Sequence, residues 1–237
     1  MKINIVHLYP DLLNLYGDNG NITAFAYRLR QRGIEADITE IQCGDMIDIS
    51  SADIVFIGGG SERELLTVAD ALRPSAKDFQ AFASDGGVML AVCGGYQLLG
   101  SHYVSGGKKI GGLGVLDIFS DEAPERFIGN IVCECEAIGT TLAGFENHSG
   151  KMNIGSLTPL AKVISGSGND GASLYEGVIA QNVIGTWLHG PLLPKNPKLT
   201  DYILTKAIER KYGKAELAPL DDTAEMLAHD YSVKMFS

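Results

Sequence analysis

Val88, Met89, Leu90, Ala91, Val92, Cys93, Gly94, Gly95, Tyr96 and Gln97 form the stretch on which the reading of this chain turns. An apolar run of this length suits a strand buried on both faces, as in a parallel sheet. The glycine pair after Cys93 removes the side-chain bulk that would stop the chain from reversing sharply into a helix. A cysteine at such a corner is presented rather than packed, and the N-terminus of the following helix favours its thiolate. The pattern is that of a nucleophile elbow.

The surrounding sequence repeats the same texture. Asp53 to Ile57 is a second short apolar run, and it empties into Gly58, Gly59 and Gly60 before a helix from Glu62. Upstream, Lys2 to Leu8 reads as a buried strand. Asn21 reads as the N-cap of a helix to Gln31 that Gly33 ends, and Ile34 to Ile41 as a further strand. After Pro74 a helical stretch to Ser84 leads back to the elbow strand. Alternating strand and helix implies parallel neighbours joined by crossovers, with helices on both faces and sites at the carboxyl ends of strands. From Lys108 to Leu188 the chain becomes Gly-rich and strand-like, notably at Ile131 to Ala137, Ala161 to Ile164, Val178 to Ala180 and Val183 to Leu188. These are expected to be antiparallel additions to the sheet, with a loop over Ser165 to Gly171 and closing helices at Asp201 to Lys211 and Thr223 to His229. The expected fold class is α/β: one domain over residues 1–237, a central mostly parallel sheet flanked by helices with antiparallel additions.

Composition narrows the function classes. The chain has 237 residues, 45% of them apolar, enough for a sizeable core. A net charge of −10, with no clustering of Lys and Arg, disfavours any role that neutralises nucleic-acid phosphates. No apolar stretch approaches the roughly 20 residues a membrane-spanning helix needs. Met1 leads into Ile3 to Leu8 without the features of a secretory signal, so a cytoplasmic setting with free thiols is expected. Of the other cysteines, Cys43 lacks the elbow setting. Cys133 and Cys135 share one face of a strand rather than forming a metal knuckle, so no metal site is expected.

A cysteine nucleophile needs donors for the oxyanion and a base. Backbone N–H groups of Gly59, Gly60 and Gly94 lie at the ends of strands expected to be neighbours, where they can converge on one point. Five histidines compete for the base. His189 ends an apolar run and is followed by Gly190 and Pro191, which places it at a strand terminus. His148, in the polar loop Gly144 to Gly150, ranks second, and both stay open at this point. His7 lies inside a strand, His102 follows the elbow helix too closely, and His229 is expected near a frayed, exposed end.

Cys93 to Leu99 resembles the nucleophile segment of class I glutamine amidotransferases, and Gly185 to Gly190 (GTWLHG) resembles their histidine segment. Tyr16 to Asn21 (YGDNGN), Phe56 to Glu64 (FIGGGSERE), Gly144 to Gly150 (GFENHSG) and Thr186 to Pro197 together resemble the cobyric acid synthase type. More narrowly, they resemble glutaminase subunits that pair with Mur-ligase-like synthetases. The resemblance implies Cys93 as nucleophile, His189 as its base, and Gln97 and Arg126 as contacts to L-glutamine. Arg126 comes from the segment Glu125 to Asn130 (ERFIGN), and a guanidinium suits bidentate capture of an α-carboxylate. It also implies no cofactor in this chain, with ATP bound by a Mur-ligase-like partner in a heterodimer that amidates D-glutamate of the lipid II stem peptide.

Two departures from the family pattern carry consequences. Ala91 stands where the usual elbow has glycine, a small steric change. Pro191 stands where many class I enzymes place the glutamate that orients the histidine. The resemblance implies that the partner presents the missing acid, so that hydrolysis depends on assembly. Amidation of a corrinoid is the rival within the enzyme class, disfavoured at this level because no synthetase domain is attached. A silent scaffolding subunit is the rival outside it, disfavoured by the presence of both Cys93 and His189.

Overall fold

Ile54–Ile57 and Val88–Val92, the two apolar runs that end in glycine, lie side by side as parallel strands, with Ile57 opposite Ala91. The computed structural model that shows this describes residues 1–237. In chain order, β1 (Lys2–Leu8), α1 (Asn19–Gln31) and β2 (Glu35–Ile41) are followed by β3 (Ile54–Ile57), α2 (Glu62–Leu72), α3 (Ala76–Ser84), β4 (Val88–Val92) and α4 (Gly94–Leu99). Then come β5 (His102–Ser105), β6 (Lys108–Gly111), β7 (Phe119–Cys135), β8 (Thr140–Asn153), β9 (Ala161–Ser165), β10 (Tyr175–Glu176), β11 (Val178–Ala180) and β12 (Val183–Thr186). Three helices close the chain: α5 (Leu192–Lys195), α6 (Pro197–Tyr212) and α7 (Thr223–Phe236).

The first sheet has the order β11-β12-β4-β3-β1-β2. Every pairing in it is parallel except that of β11 with β12. β3 and β4 are buried at every residue, as strands covered on both faces must be, whereas the edge strand β2 is mostly exposed. The expected α/β class holds. The later strands, however, do not mostly extend this sheet. β12, expected as an antiparallel addition, joins it parallel to β4, only β11 adds to it antiparallel, and the rest form a second sheet of order β10-β9-β7-β5-β6, with β8 on β7. Length explains the split. β7 and β8 run to 17 and 14 residues, against four and five for β3 and β4, and pair with each other along most of that length, which satisfies their backbone groups without the first sheet. One cluster of 56 buried apolar residues includes Phe56 and Leu90 from the first sheet and Ile131 and Leu142 from the second, so the two share a core.

Other expectations shift in detail. The N-cap position of α1 is Asp18 rather than Asn21, with no side-chain cap bond, and Asn21 instead accepts from the Leu193 N–H at 2.8 Å. His229 is not frayed: it is buried, its Nδ1 donates to the Lys195 carbonyl and its Nε2 meets Thr141 Oγ1, both at 2.8 Å. α7 therefore continues to Phe236, anchored to β8 and α5. Arg28 of α1 joins Asp201 of α6 and Asp222 ahead of α7, at 2.6 Å in each case, and fixes how those elements meet. Pairs this buried specify geometry more dependably than they add stability.

Candidate active site at the Cys93 elbow

Cys93 leaves β4 with φ 54° and ψ −110°, a conformation that costs a non-glycine residue about 1–3 kcal/mol. Its N–H donates to the Thr186 carbonyl of β12 at 2.8 Å, which holds the corner against the neighbouring strand. The glycine pair has the steric role its sequence suggests: a Cβ on Gly95 would lie 2.5 Å from the Ile57 carbonyl oxygen, so only glycine lets α4 pack this close to β3. The sulfur opens on a narrow cleft of about 80 Å³, lined among others by Gly60, Gly94, Gln97, Arg126, His148 and Trp187. Cys93 itself is 8% exposed.

The three expected oxyanion donors fare differently. The Gly94 N–H lies against the Cys93 sulfur and favours its charged form. The Gly60 N–H donates to no protein group, and its nitrogen is 3.6 Å from where a Cβ on Gly94 would stand. The Gly59 N–H is already taken: it donates to Asp18 Oδ2 at 2.7 Å. Gly60 and Gly94 are thus the free pair.

Burial, and then the neighbouring Asp18 carboxylate, push the Cys93 thiol up to about 12, against the opposing pull of the Gly94 N–H and Arg126. His189 follows β12, which is paired directly with β4, so cysteine and histidine leave adjacent strand ends. The two are not hydrogen-bonded, and neither ring nitrogen of His189 has a partner. The ring is covered by Tyr16, at 4.5 Å between centroids, and by Phe145 edge-on at 5.9 Å. Burial first, then His148 and Lys195, lower His189 to about 4, with Glu146 opposing them. At neutral pH the site therefore holds a thiol and a neutral imidazole, able to accept a proton but not preloaded with one.

Arg126 enters the cleft from β7, beside the irregularity in pairing between Glu122 and Phe127, and its Nε donates to Asn147 Oδ1 at 2.6 Å. Gln97, on α4, donates from Nε2 to Ser120 Oγ at 3.2 Å. Both thus lie where a small polar substrate would meet the sulfur. His148 also lines the cleft, lying flat on Trp187 at 3.9 Å. Its Nδ1 donates to the Gly150 carbonyl at 2.9 Å, while Nε2 faces Glu146 at 3.6 Å. His148 Nε2 also lacks a hydrogen-bond partner, and His148 lines the Cys93 cleft whereas His189, with both nitrogens unpartnered, lies behind Tyr16 and is not among the lining residues.

Residues 4–197 match the family of CobB/CobQ-like glutamine amidotransferase domains. The chain belongs to this family. As an amidotransferase it is 40% identical over 228 residues to the lipid II isoglutaminyl synthase (glutamine-hydrolyzing) subunit GatD of Staphylococcus aureus, a match covering 96% of this chain and 93% of the relative. The GatD subunit of Streptococcus pneumoniae is 38% identical, with 98% and 91% covered. A cobyric acid synthase of Sphingopyxis alaskensis is 34% identical over 78% of this chain but only 38% of its own length. Among solved structures, a glutamine amidotransferase superposes with a TM-score of 0.57 at 19% identity, covering 85% of this chain and 98% of that one. The glutaminase domain of Trypanosoma brucei CTPS, with bound acivicin, superposes at 0.54 and 12% identity, covering 92% and 96%. These two likenesses concern the fold.

The candidate site also contains residues that the motifs leave without a role. Tyr16 and Asp18 lie in a quoted motif, yet nothing in their spacing reveals that Tyr16 bonds Asn147 and covers His189, or that Asp18 reaches Gly59. Glu146 is buried and accepts from Ser167 and Gly168 N–H groups at 2.7 and 3.0 Å. The one local signal was Gly17 between Tyr16 and Asp18, since both Tyr16 and Gly17 adopt positive φ, at 62° and 80°.

Proposed function

We propose that this chain is a glutaminase subunit: Cys93 and His189 hydrolyse L-glutamine and the ammonia passes to a Mur-ligase-like partner that binds ATP and amidates D-glutamate of the lipid II stem peptide. The single observation that carries the reading is a cysteine held in strained backbone beside two free N–H donors and an arginine, in a chain aligned over 96% of its length with a GatD subunit.

The thiol proton moves to His189 as Cys93 Sγ bonds to the side-chain amide carbon of glutamine. The N–H groups of Gly60 and Gly94 hold the oxyanion, and Arg126 pairs with the α-carboxylate while Gln97 lines the approach. The tetrahedral species collapses as the C–N bond breaks, His189 returning its proton to the leaving nitrogen, so ammonia departs and a γ-glutamyl thioester remains. Water, deprotonated by His189, then attacks the thioester. Glutamate leaves and the proton returns to sulfur. Ammonia must travel shielded from bulk water, where protonation would remove its nucleophilicity.

In the unpartnered chain the thiol is held protonated, His189 is covered by Tyr16 and the cleft is small, all of which supports low intrinsic turnover. Pro191 leaves His189 without an acid at the usual position, and a carboxylate presented by the partner would both raise its basicity and orient it. The similarity to a cobyric acid synthase keeps corrinoid amidation as the second reading, but that match spans little over a third of the relative's length. The test is co-purification with a Mur-ligase-like synthetase, followed by glutamine turnover of the complex with wild-type chain, Cys93→Ala and His189→Ala. Turnover surviving Cys93→Ala, or equal turnover with and without the ligase, counts against the proposal.

A further inference from the structure

Asp18 stands at the N-cap of α1, where an aspartate ordinarily bonds the first free N–H groups of its own helix. It makes no such bond. Instead its side chain, fully buried, accepts the Gly59 N–H at 2.7 Å and leaves Oδ1 without any partner. Forgoing the cap, and burying a carboxylate oxygen unpaired, is a local cost that α1 does not recover.

What the carboxylate holds is the hinge of the oxyanion loop. Three consecutive glycines can sample much of φ/ψ space, so their N–H directions are undefined unless anchored. Gly59 is anchored at both polar groups by one short segment, because Leu15 N–H donates to its carbonyl at 2.9 Å while Asp18 takes its N–H. In a trans peptide the carbonyl and the following N–H point in opposite directions, so holding the Gly59 carbonyl on Leu15 turns the Gly60 N–H away from that segment. The Gly60 nitrogen is 3.6 Å from where a Cβ on Gly94 would stand, and a Cβ on Gly59 itself would lie 3.3 Å from the Cys93 sulfur. Burial raises Asp18 itself to about 7, against the Gly59 N–H that lowers it, so above that pH it places negative charge beside the sulfur and hinders thiolate formation.

Resting on the glutaminase reading above, we propose that Asp18 is a positioning residue of the reaction: its carboxylate clamps Gly59 so that the Gly60 N–H stays aimed at the oxyanion formed on Cys93. The clamp and the charge act in opposite directions, and that opposition makes the role testable. In Asp18→Ala the oxyanion donor is released while the charge near the thiol vanishes. Labelling of Cys93 by 6-diazo-5-oxo-L-norleucine, in which the diazo carbon takes a proton and bonds the sulfur as dinitrogen leaves while the ketone oxygen rests on the oxyanion donors, is expected to slow by up to about a hundredfold. Alkylation by iodoacetamide at pH 8, where Asp18 is ionised in the wild type and only the thiolate reacts, is expected to accelerate. Asp18→Asn, whose amide oxygen can accept the same N–H, is expected to recover most of the lost diazoketone labelling.

Equal diazoketone rates in wild type and Asp18→Ala overturn the proposal, as does an Asp18→Asn variant as slow as Asp18→Ala. Parallel slowing with both reagents means the variant has lost its structure rather than its donor, and also overturns it. A wild-type chain that neither reacts with the diazoketone nor turns over glutamine beside its ligase overturns the glutaminase reading itself, an outcome distinct from the other three.

Discussion

The amide of Cys93 donates to the carbonyl of Thr186 at 2.8 Å, tying the corner at Cys93 to the strand that leads into His189. One backbone bond thus connects residues far apart in the chain and makes the strained turn depend on the sheet around it. Strain that the fold imposes can be measured by relieving it.

Glycine in place of Cys93 is expected to be more stable than alanine by about 1 kcal/mol, reversing the usual order, because φ is 54° there. Thermal or denaturant unfolding of Cys93→Gly and Cys93→Ala measures the difference. An alanine variant equal to or more stable than the glycine one argues that the turn is relaxed. Both variants should lose glutamine turnover by on the order of 10⁴-fold or more.

Alkylation of the unpartnered chain by iodoacetamide should rise about tenfold per pH unit from pH 7 to 10 without a plateau, since the thiol is pushed up to about 12 and only the thiolate reacts. His189, lowered to about 4, stays neutral throughout that range, and its charging matters only as pH falls toward 4. A plateau reached near pH 7 would instead reveal a thiolate–imidazolium pair.

Arg126 lies beside the sulfur with its guanidinium already oriented by Asn147. Replacing it by alanine should raise KM for glutamine about 10- to 100-fold, the worth of a hydrogen-bonded charge pair, with a much smaller change in kcat. Lysine should restore only part, since it keeps the charge and loses the fork. Steady-state kinetics of the ligase complex decides it: a drop in kcat at unchanged KM places Arg126 in the chemistry instead.

His229→Ala removes both bonds that pin α7 to Thr141 and to the Lys195 carbonyl, and should destabilise the chain by about 1–3 kcal/mol. Limited proteolysis should then cut within residues 213–237 first, while diazoketone labelling of Cys93 remains. Unchanged protease resistance means that packing alone retains the helix.

The elbow strand and the glycine loop were legible because their signals are local: a wholly apolar run says buried on both faces, and paired glycines say that something passes close by. His229 was misjudged because nearness to a sequence end says nothing of which surfaces lie beneath it. The second sheet was missed for a related reason. Alternating strands announce one buried face but not which sheet they join, and the long pairing of β7 with β8 is a contact between segments that no local pattern specifies.

By itself the sequence determined that a cysteine would stand at the carboxyl end of a parallel strand, with glycine loops for donors and His189 as one of two leading bases. Only the tertiary structure decided that Gly59 is held by Asp18, that His189 is covered by Tyr16, and that the sulfur is kept protonated. The reason is physical. Backbone conformation is written in neighbouring residues, whereas burial, charge proximity and the direction of a lone N–H arise from segments that meet only when the sheet has formed.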